Sequence, residues 1–308
     1  MLRYTIRRLL LLIPTFIGAS ALIFFAGLAL HGDPVAALGG ERAMTPATRQ
    51  LLIERYHLDK PVLEQYVLYL GNVLHGDLGE SVLKRRSVTD IFKETFPVTL
   101  RLAILAWIFE IVIGMTAGIL AALRRDKFLD QLVLVSTTIA ISIPVFVLGF
   151  AGRGIFAARW PIFPVGGITH GWWSYVLPGM VIATLSLAYI ARILRTSLLE
   201  TLREDYIRTA EAKGLRPSRV VGRHALRNAL IPVVTFVAID FAALMGGAIV
   251  TETIFNLPGV GFTLIRAIGT RDLSIVVGFT MAAVIIFMMV SLLIDLLYAV
   301  LDPRIRYE

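Results

Sequence analysis

Cysteine is absent from the 308 residues, which excludes disulfides, thiolate catalysis and cysteine-ligated metals at once. Charge is scarce: 17% of residues are charged and 57% hydrophobic, against about 25% and about 45–50% in a soluble domain. No Gly-Lys dipeptide occurs, so the chain has no phosphate-cradling loop for ATP. His31, His57, His75, His170 and His224 form neither an HExxH pair nor a ligand cluster, and no GxSxG nucleophile motif occurs. Internal repeats and low-complexity tracts are missing too, which argues against an inverted-repeat transporter. Any uphill work done through this chain must draw on an ion gradient or on a partner.

What is present is oil. Mean hydropathy is +0.77, and apolar runs of about 20 residues recur, the length needed to cross a hydrocarbon core ~30 Å thick. Six spans are expected, at about Leu9–Leu30, Val98–Leu123, Leu129–Phe150, Tyr175–Leu194, Ala229–Val250 and Ile275–Leu301. The first follows a basic head with Arg3, Arg7 and Arg8. A secretory signal would have an apolar region of only ~7–15 residues and a small-residue cleavage site. This run is longer and ends at "HGDP", so it reads as a retained helix.

The net charge of +8 has a topological reading before a nucleic-acid one. With the N-terminus inside, inside segments hold 17 basic residues and the two short outside loops hold 4, Arg153, Arg159, Arg266 and Arg271. That asymmetry puts both termini in the cytoplasm. The long outer segment, about His31 to Pro97, is left out of the count because long segments cross regardless of charge. Within it, "DKPVLEQYVLYLGNVLHGDLG" predicts an amphipathic helix on the rim of the membrane domain. Pro61 suits the first turn, Gly76 the stop, and Leu63, Tyr66, Val67, Leu70 and Leu74 one apolar face.

Ionisable residues inside spans are few: Glu110, Asp240 and Asp295. Each costs ~2.5–3.5 kcal/mol at mid-membrane unless satisfied. They serve either a proton relay or a buried ion pair or hydrogen bond, with Arg192 or a partner subunit as the candidate mate. Gly114 and Gly118 form a GxxxG that permits close helix approach. Pro144 is expected to break the third helix after "STTIAISI".

One charged stretch interrupts the second half. "YIRTAEAKGLRPSRVVGRHALRNALIP", Tyr206 to Pro232, carries six basic residues and His224. Leu199, Leu202, Tyr206 and Ala210 recur at helical spacing, so the fourth span is expected to continue as an amphipathic cytoplasmic helix. Gly214 should close it as a left-handed cap, with Pro217 just beyond. A second helix should then run through Val220 and Val221 into the fifth span. A solvated loop with affinity for acidic lipid would explain the charge but not the order of helix, glycine, turn and helix.

"DYIRTAEAKGL…RVV…HALRNALIPVVT" resembles the cytoplasmic coupling loop of binding-protein-dependent ABC importer permeases of the peptide branch. The general motif is Glu-Ala-Ala, three residues, then Gly. Ala210 and Gly214 match it, while Arg208 and Thr209 stand for Glu and the first Ala, as in the dipeptide and oligopeptide permeases. "HGDPVAAL", "HLDKPVLEQYVLYLGNVLHGDLGES", "GGAIVTETIFNLPGVG" and "DLLYAVLDPRIRY" resemble the first, or B-type, permease subunit of those importers in the same order. The resemblance covers nearly the whole chain.

The resemblance implies an all-α, six-span type I importer permease with no catalytic, metal or cofactor site of its own. Its implied partners are a homologous C-type permease, two cytoplasmic ATPases that carry ATP and Mg, and an extracellular binding protein that delivers di- or oligopeptides. The setting is the bilayer of a bacterial cell membrane, and no nucleic acid is involved. Expected domains are 1–97, the first helix with its outer segment, and 98–308, the permease core with the coupling loop 195–228. Asp205, Tyr206, Arg208, Thr209, Ala210, Lys213 and Gly214 would couple to an ATPase, with Tyr206 and Ala210 on the docked face. Glu252, Phe255, Leu257, Pro258 and Val260, in "ETIFNLPGVG", would form an outer gate or meet the binding protein, or simply pack as a hairpin. Other readings remain: another cargo, such as nickel chelates or oligosaccharides, an ion-coupled secondary transporter, or an intramembrane enzyme.

Overall fold

The computed structural model describes residues 2–29, 45–56, 59–81 and 83–301. "HGDPVAAL", His57, and Arg304 and Arg306 in the C-terminal tail lie outside the described residues. Helices dominate: α1 (Leu2–Ala29), α2 (Pro46–Tyr56), α3 (Val62–Leu74), α4 (Val88–Leu123), α5 (Phe128–Ser142), α6 (Val145–Gly152), α7 (Trp173–Thr201), α8 (Asp205–Ala212), α9 (Pro217–Ala229), α10 (Ile231–Gly247), α11 (Ile249–Ile254), α12 (Val260–Gly269) and α13 (Leu273–Leu301). Two π-wound stretches, Arg153–Arg159 after α6 and Val220–Ala225 within α9, complete the helical part. A two-stranded antiparallel hairpin, β1 (Glu80–Ser81) and β2 (Arg86–Ser87), precedes α4, with Glu80 opposite Ser87.

Among the described residues four helices are long and apolar enough to cross a bilayer, and the number is six if each of two bent pairs counts as one crossing. The third expected span is one of the bent pairs. α5 and the helix after it meet at 99°. Pro144 supplies no N–H and drives Ile143 to an extended φ −98°, ψ 123°. The second span starts ten residues before its expected Val98 and runs through Pro97. Pro97 and Lys93 are both exposed, so the carbonyl that the proline leaves unbonded opens to solvent.

The chain divides into two compact units, cut differently from the expected 1–97 and 98–308: residues 1–100, 245–249 and 258–308, and residues 101–244 and 250–257. In the first unit α1 lies along α13, and α3 rests on α1. The Tyr66 hydroxyl donates to the Ile17 carbonyl at 3.0 Å and pairs with Ser20 Oγ at 2.8 Å. The rings of Tyr66 and Tyr69 lie 5.5 and 5.4 Å from Phe24. This corrects the expected apolar face of α3: Leu63, Val67 and Leu74 are 70%, 61% and 74% exposed, while Gln65, Tyr66 and Val73 are buried. The buried phenol of Tyr66 must find a hydrogen-bond partner, and α1 supplies it. A core of Val88, Ile91, Ala267, Ile275 and Phe279 holds the hairpin end of this unit. There Ser81 Oγ donates to Asp272.

In the second unit the GxxxG of α4 meets α7 closely. A Cβ at Gly114 would lie 2.8 Å from the Leu187 carbonyl, and one at Gly118 2.7 Å from that of Ala191. This contact brings α4 and α7 together over the core of Ile190, Leu194 and Leu198 that continues into the charged loop.

Candidate functional site: the loop between α7 and α9

α7 does not run on through Ala210 as expected. It stops at Thr201, and after a turn over Leu202–Glu204 the chain restarts as α8. Glu204 is extended (φ −67°, ψ 147°), and Asp205 places a carboxylate in the first turn, where the helix dipole favours it. The turn carries Tyr206 off the apolar face and Ile207 onto it. Ile207 (1% exposed) and Ala210 (7%) now face the core with Leu194, Leu198, Val220, Ala225 and Ala229.

This corrects the expected docked face. Ala210 is taken up by its own chain, and Tyr206, 41% exposed, stands at the border. Asn228 Nδ2 donates to the Tyr206 hydroxyl at 2.7 Å, tying α8 to α9. Asp205, Arg208, Thr209, Lys213 and Gly214 are all exposed, so the face available to another protein is polar with one aromatic beside it. The Asp205–Arg208 pair, 3.5 Å apart and solvated, contributes little to stability.

The end of α8 matches expectation. Gly214 has φ +74°. Its N–H donates to the Glu211 carbonyl at 2.8 Å, and the Leu215 N–H to the Ala210 carbonyl at 3.3 Å. This is a Schellman cap, with Leu215 packed on the cluster that contains Ala210. Pro217 then opens α9 at its first position. Around the cap, Arg208, Lys213, Arg216, Arg219, Arg223 and Arg227 are exposed.

One anchor escaped the sequence reading. Asp130 at the start of α5 accepts two bonds from Arg195 of α7, at 2.5 and 2.7 Å, and one from the Asp126 N–H at 2.9 Å. It fastens the α4–α5 turn to the stem that carries α8. An acid near the head of a span and an arginine near the end of another were visible, but nothing in the sequence paired them.

The intramembrane acids resolve differently. Asp295 pairs with Arg8 at 3.1 Å, an ion pair as one reading held, although its mate is not Arg192. Arg192 donates instead to the Thr137 and Thr138 hydroxyls, at 3.1 and 2.6 Å. Asp240 accepts from Ser186 Oγ at 2.8 Å. Glu110 is fully buried beside these two. Its carboxylate oxygens and Asp240 Oδ2 have no hydrogen-bond partner among the described residues.

The expected gate residues are placed in two ways. In the second unit Glu252, Phe255 and Leu257 are buried to 1% exposure or less, so the apolar pair does not lie open. Arg153 Nη1 donates to the Ile254 carbonyl at 2.7 Å and the Gly167 N–H to the Phe255 carbonyl at 3.0 Å. Asn256, at φ +50°, closes α11 with a second Schellman cap, Leu257 N–H to Glu252 carbonyl at 2.9 Å. In the first unit Pro258 is exposed, and the Val260 N–H donates to Thr99 Oγ1 at 2.9 Å.

Comparison with known proteins decides the family. Residues 114–307 match the binding-protein-dependent transport system inner membrane component, and residues 1–103 match the N-terminal part of such membrane components. The chain belongs to that family. It is a permease component of an ABC transporter, a membrane protein with the all-helical type I importer permease fold. It is 39% identical, over the full length of both chains, to the dipeptide transport system permease protein DppB of Escherichia coli. To the di/tripeptide permease protein DppB of Pseudomonas aeruginosa the identity is also 39%, and to the glutathione permease protein GsiC of Escherichia coli 37%, each with full coverage.

Proposed function

We propose that this chain is one of two permease subunits of an importer for di- or oligopeptides, energised by two cytoplasmic ATPases and supplied by an extracellular binding protein. Peptide cargo is favoured by the relatives, which are named for dipeptides, di/tripeptides and the tripeptide-like glutathione. ATP and Mg belong to the partner ATPases. Both termini face the cytoplasm, by the basic asymmetry of the loops.

The observation that carries the coupling role is α8 itself. It is eight residues long, too short to persist alone, yet it is fixed by Ile207 and Ala210 inside and by the Gly214 cap at its end. A short helix held firmly on one side and polar on the other can transmit motion from a partner to α7. Arg208→Cys in a complex otherwise cysteine-free at that face should crosslink to an ATPase subunit. Ile207→Cys, facing inward, should not. Absence of a crosslink from every exposed position between Asp205 and Lys213 would remove the coupling assignment.

The turn after α11 is proposed as the outer closure of the pathway, since its backbone is pinned by Arg153 and Gly167 while Pro258 reaches the surface.

A further inference from the structure

α1 and α13 leave a groove of about 400 Å³ between them. It begins at the Arg8–Asp295 ion pair, passes Leu12 and Thr15 to Ala19 on α1, and passes Ser291 and Met288 to Val284 on α13. At 1.5 Å rise per residue either wall is ~16 Å long. Half of a ~30 Å hydrocarbon core is ~15 Å. The groove therefore has the depth of one leaflet, a charged rim at the membrane surface and an apolar floor ending near the midplane.

The rim has a further cation. Arg7 is exposed and stands one turn before Leu11, which also lines the groove. Among the described residues Asp295 offsets one of the two arginine charges, which leaves the charge of Arg7 at the rim. Only 11% of the apolar window of α1 is buried in the chain, so α1 leaves most of its apolar surface for the surroundings of the chain. A partner helix would cross the full bilayer and bury the ion pair; a groove one leaflet deep with a basic rim fits a smaller amphiphile.

We propose that this groove seats one anionic phospholipid, with a tail between α1 and α13 and its phosphate at Arg7. The inference is independent of the cargo. It places the lipid in the leaflet at the N-terminal end of α1, where anionic headgroups and basic side chains attract each other. A bound lipid would then add to the direct packing of α1 on α13, which runs through Phe16, Ile23 and Met281.

The test uses the assembled transporter in nanodiscs of phosphatidylcholine with a minor fraction of phosphatidylglycerol bearing a photoactivatable group at one tail end. Label should concentrate near Ala19 and Val284. Arg7→Gln should lower it about fivefold, the worth of one basic side chain at an anionic surface, while Arg7→Lys keeps it. Ala19→Trp, which fills the inner end, should abolish label at Val284. The same probe on phosphatidylcholine should label several-fold less. Equal labelling from both headgroups, indifference to Arg7→Gln, label spread evenly along α1, or a crosslink from Ala19→Cys to the second permease would each overturn the proposal. Arg7 is exposed, so its variants fold whether or not the tryptophan variant does.

Discussion

Gly214→Val isolates the coupling loop from the rest of the protein. At φ +74° a residue bearing a Cβ is strained by ~1–2 kcal/mol, and a β-branched one by more. No atom lies within 4 Å of where the Cβ would sit, so the cost is torsional and involves no clash with a transmembrane helix. If the chain escapes the strain it gives up the two cap bonds, from Gly214 to Glu211 and from Leu215 to Ala210, each worth about 1 kcal/mol. The strain moves the balance between capped and uncapped α8 toward the uncapped form by a factor of about 5–30, and the two bonds are what the chain loses when it uncaps. The effect should order by tolerance of the left-handed region, with Gly214→Asn mild, Gly214→Ala intermediate and Gly214→Val largest.

The assay is uptake and binding-protein-stimulated ATP hydrolysis by the reconstituted complex, with co-purification as the measure of assembly. The two activities should fall together, by up to tenfold or more in Gly214→Val, while assembly stays near wild type. A selective loss of assembly would mean that the cap serves subunit docking and not transmission. Wild-type uptake in Gly214→Val, with the crosslinks from α8 also missing, would refute the reasoning and leave the charged stretch as a topology signal.

Three shorter predictions follow from the same geometry. Gly118→Val should sharply lower the yield of folded complex, because its Cβ would meet the Ala191 carbonyl at 2.7 Å, whereas Gly18→Ala, with nothing within 4 Å, should not; size-exclusion profiles after purification decide it. Cysteines replacing Lys84 and Thr169 should react with an impermeant thiol reagent on intact cells, and one replacing Ser218 should not; Ser81, the more obvious outer position, is buried against Asp272 and would mislead. Phe255→Ala should cost about 3–5 kcal/mol as a buried aromatic and, if the turn is the outer closure, should also raise basal ATPase activity; a loss of thermal stability with wild-type basal hydrolysis would leave packing as its only role.

Much of this architecture is legible without coordinates because a bilayer imposes one coarse rule, length and apolarity, and four spans obey it directly. Where it fails, a second constraint acts. The third span bends because Pro144 cannot continue a helix, and the residues alone give the break but not the 99° turn. The face of α3 departs from helical leucine spacing because Tyr66 turns to its hydrogen-bond partners on α1 and leaves Leu63, Val67 and Leu74 outside. Cap residues divide in the same way. Gly76 and Gly214 announce left-handed turns, whereas Asn256 and Arg271 adopt φ +50° and +56° where no glycine marks the place.

The proposed coupling site shows most plainly what spacing can and cannot say. Tyr206 and Ala210 keep helical register with Leu199 and Leu202, so a single continuous helix satisfies the pattern. The break at Leu202–Glu204 turns the helix so that Ile207, not Tyr206, joins Ala210 on the apolar face. That shift matters for function. In a continuous helix the apolar face would be offered to a partner and the charges would be a border. With the break, the apolar face belongs to the core of α7 and α9, and a protein docked on α8 would meet charge and one tyrosine. The Asp130–Arg195 bonds fasten the α4–α5 turn to the same α7, and the Tyr206–Asn228 bond fastens α8 to α9. A push on α8 would therefore reach α7 through packed Ile207 and Ala210, and α9 through the hydrogen bond and the capped turn. Because both routes run through close-packed or hydrogen-bonded contacts rather than through the solvated charges, removing the exposed charges one at a time should weaken docking. Loosening the cap should uncouple transport.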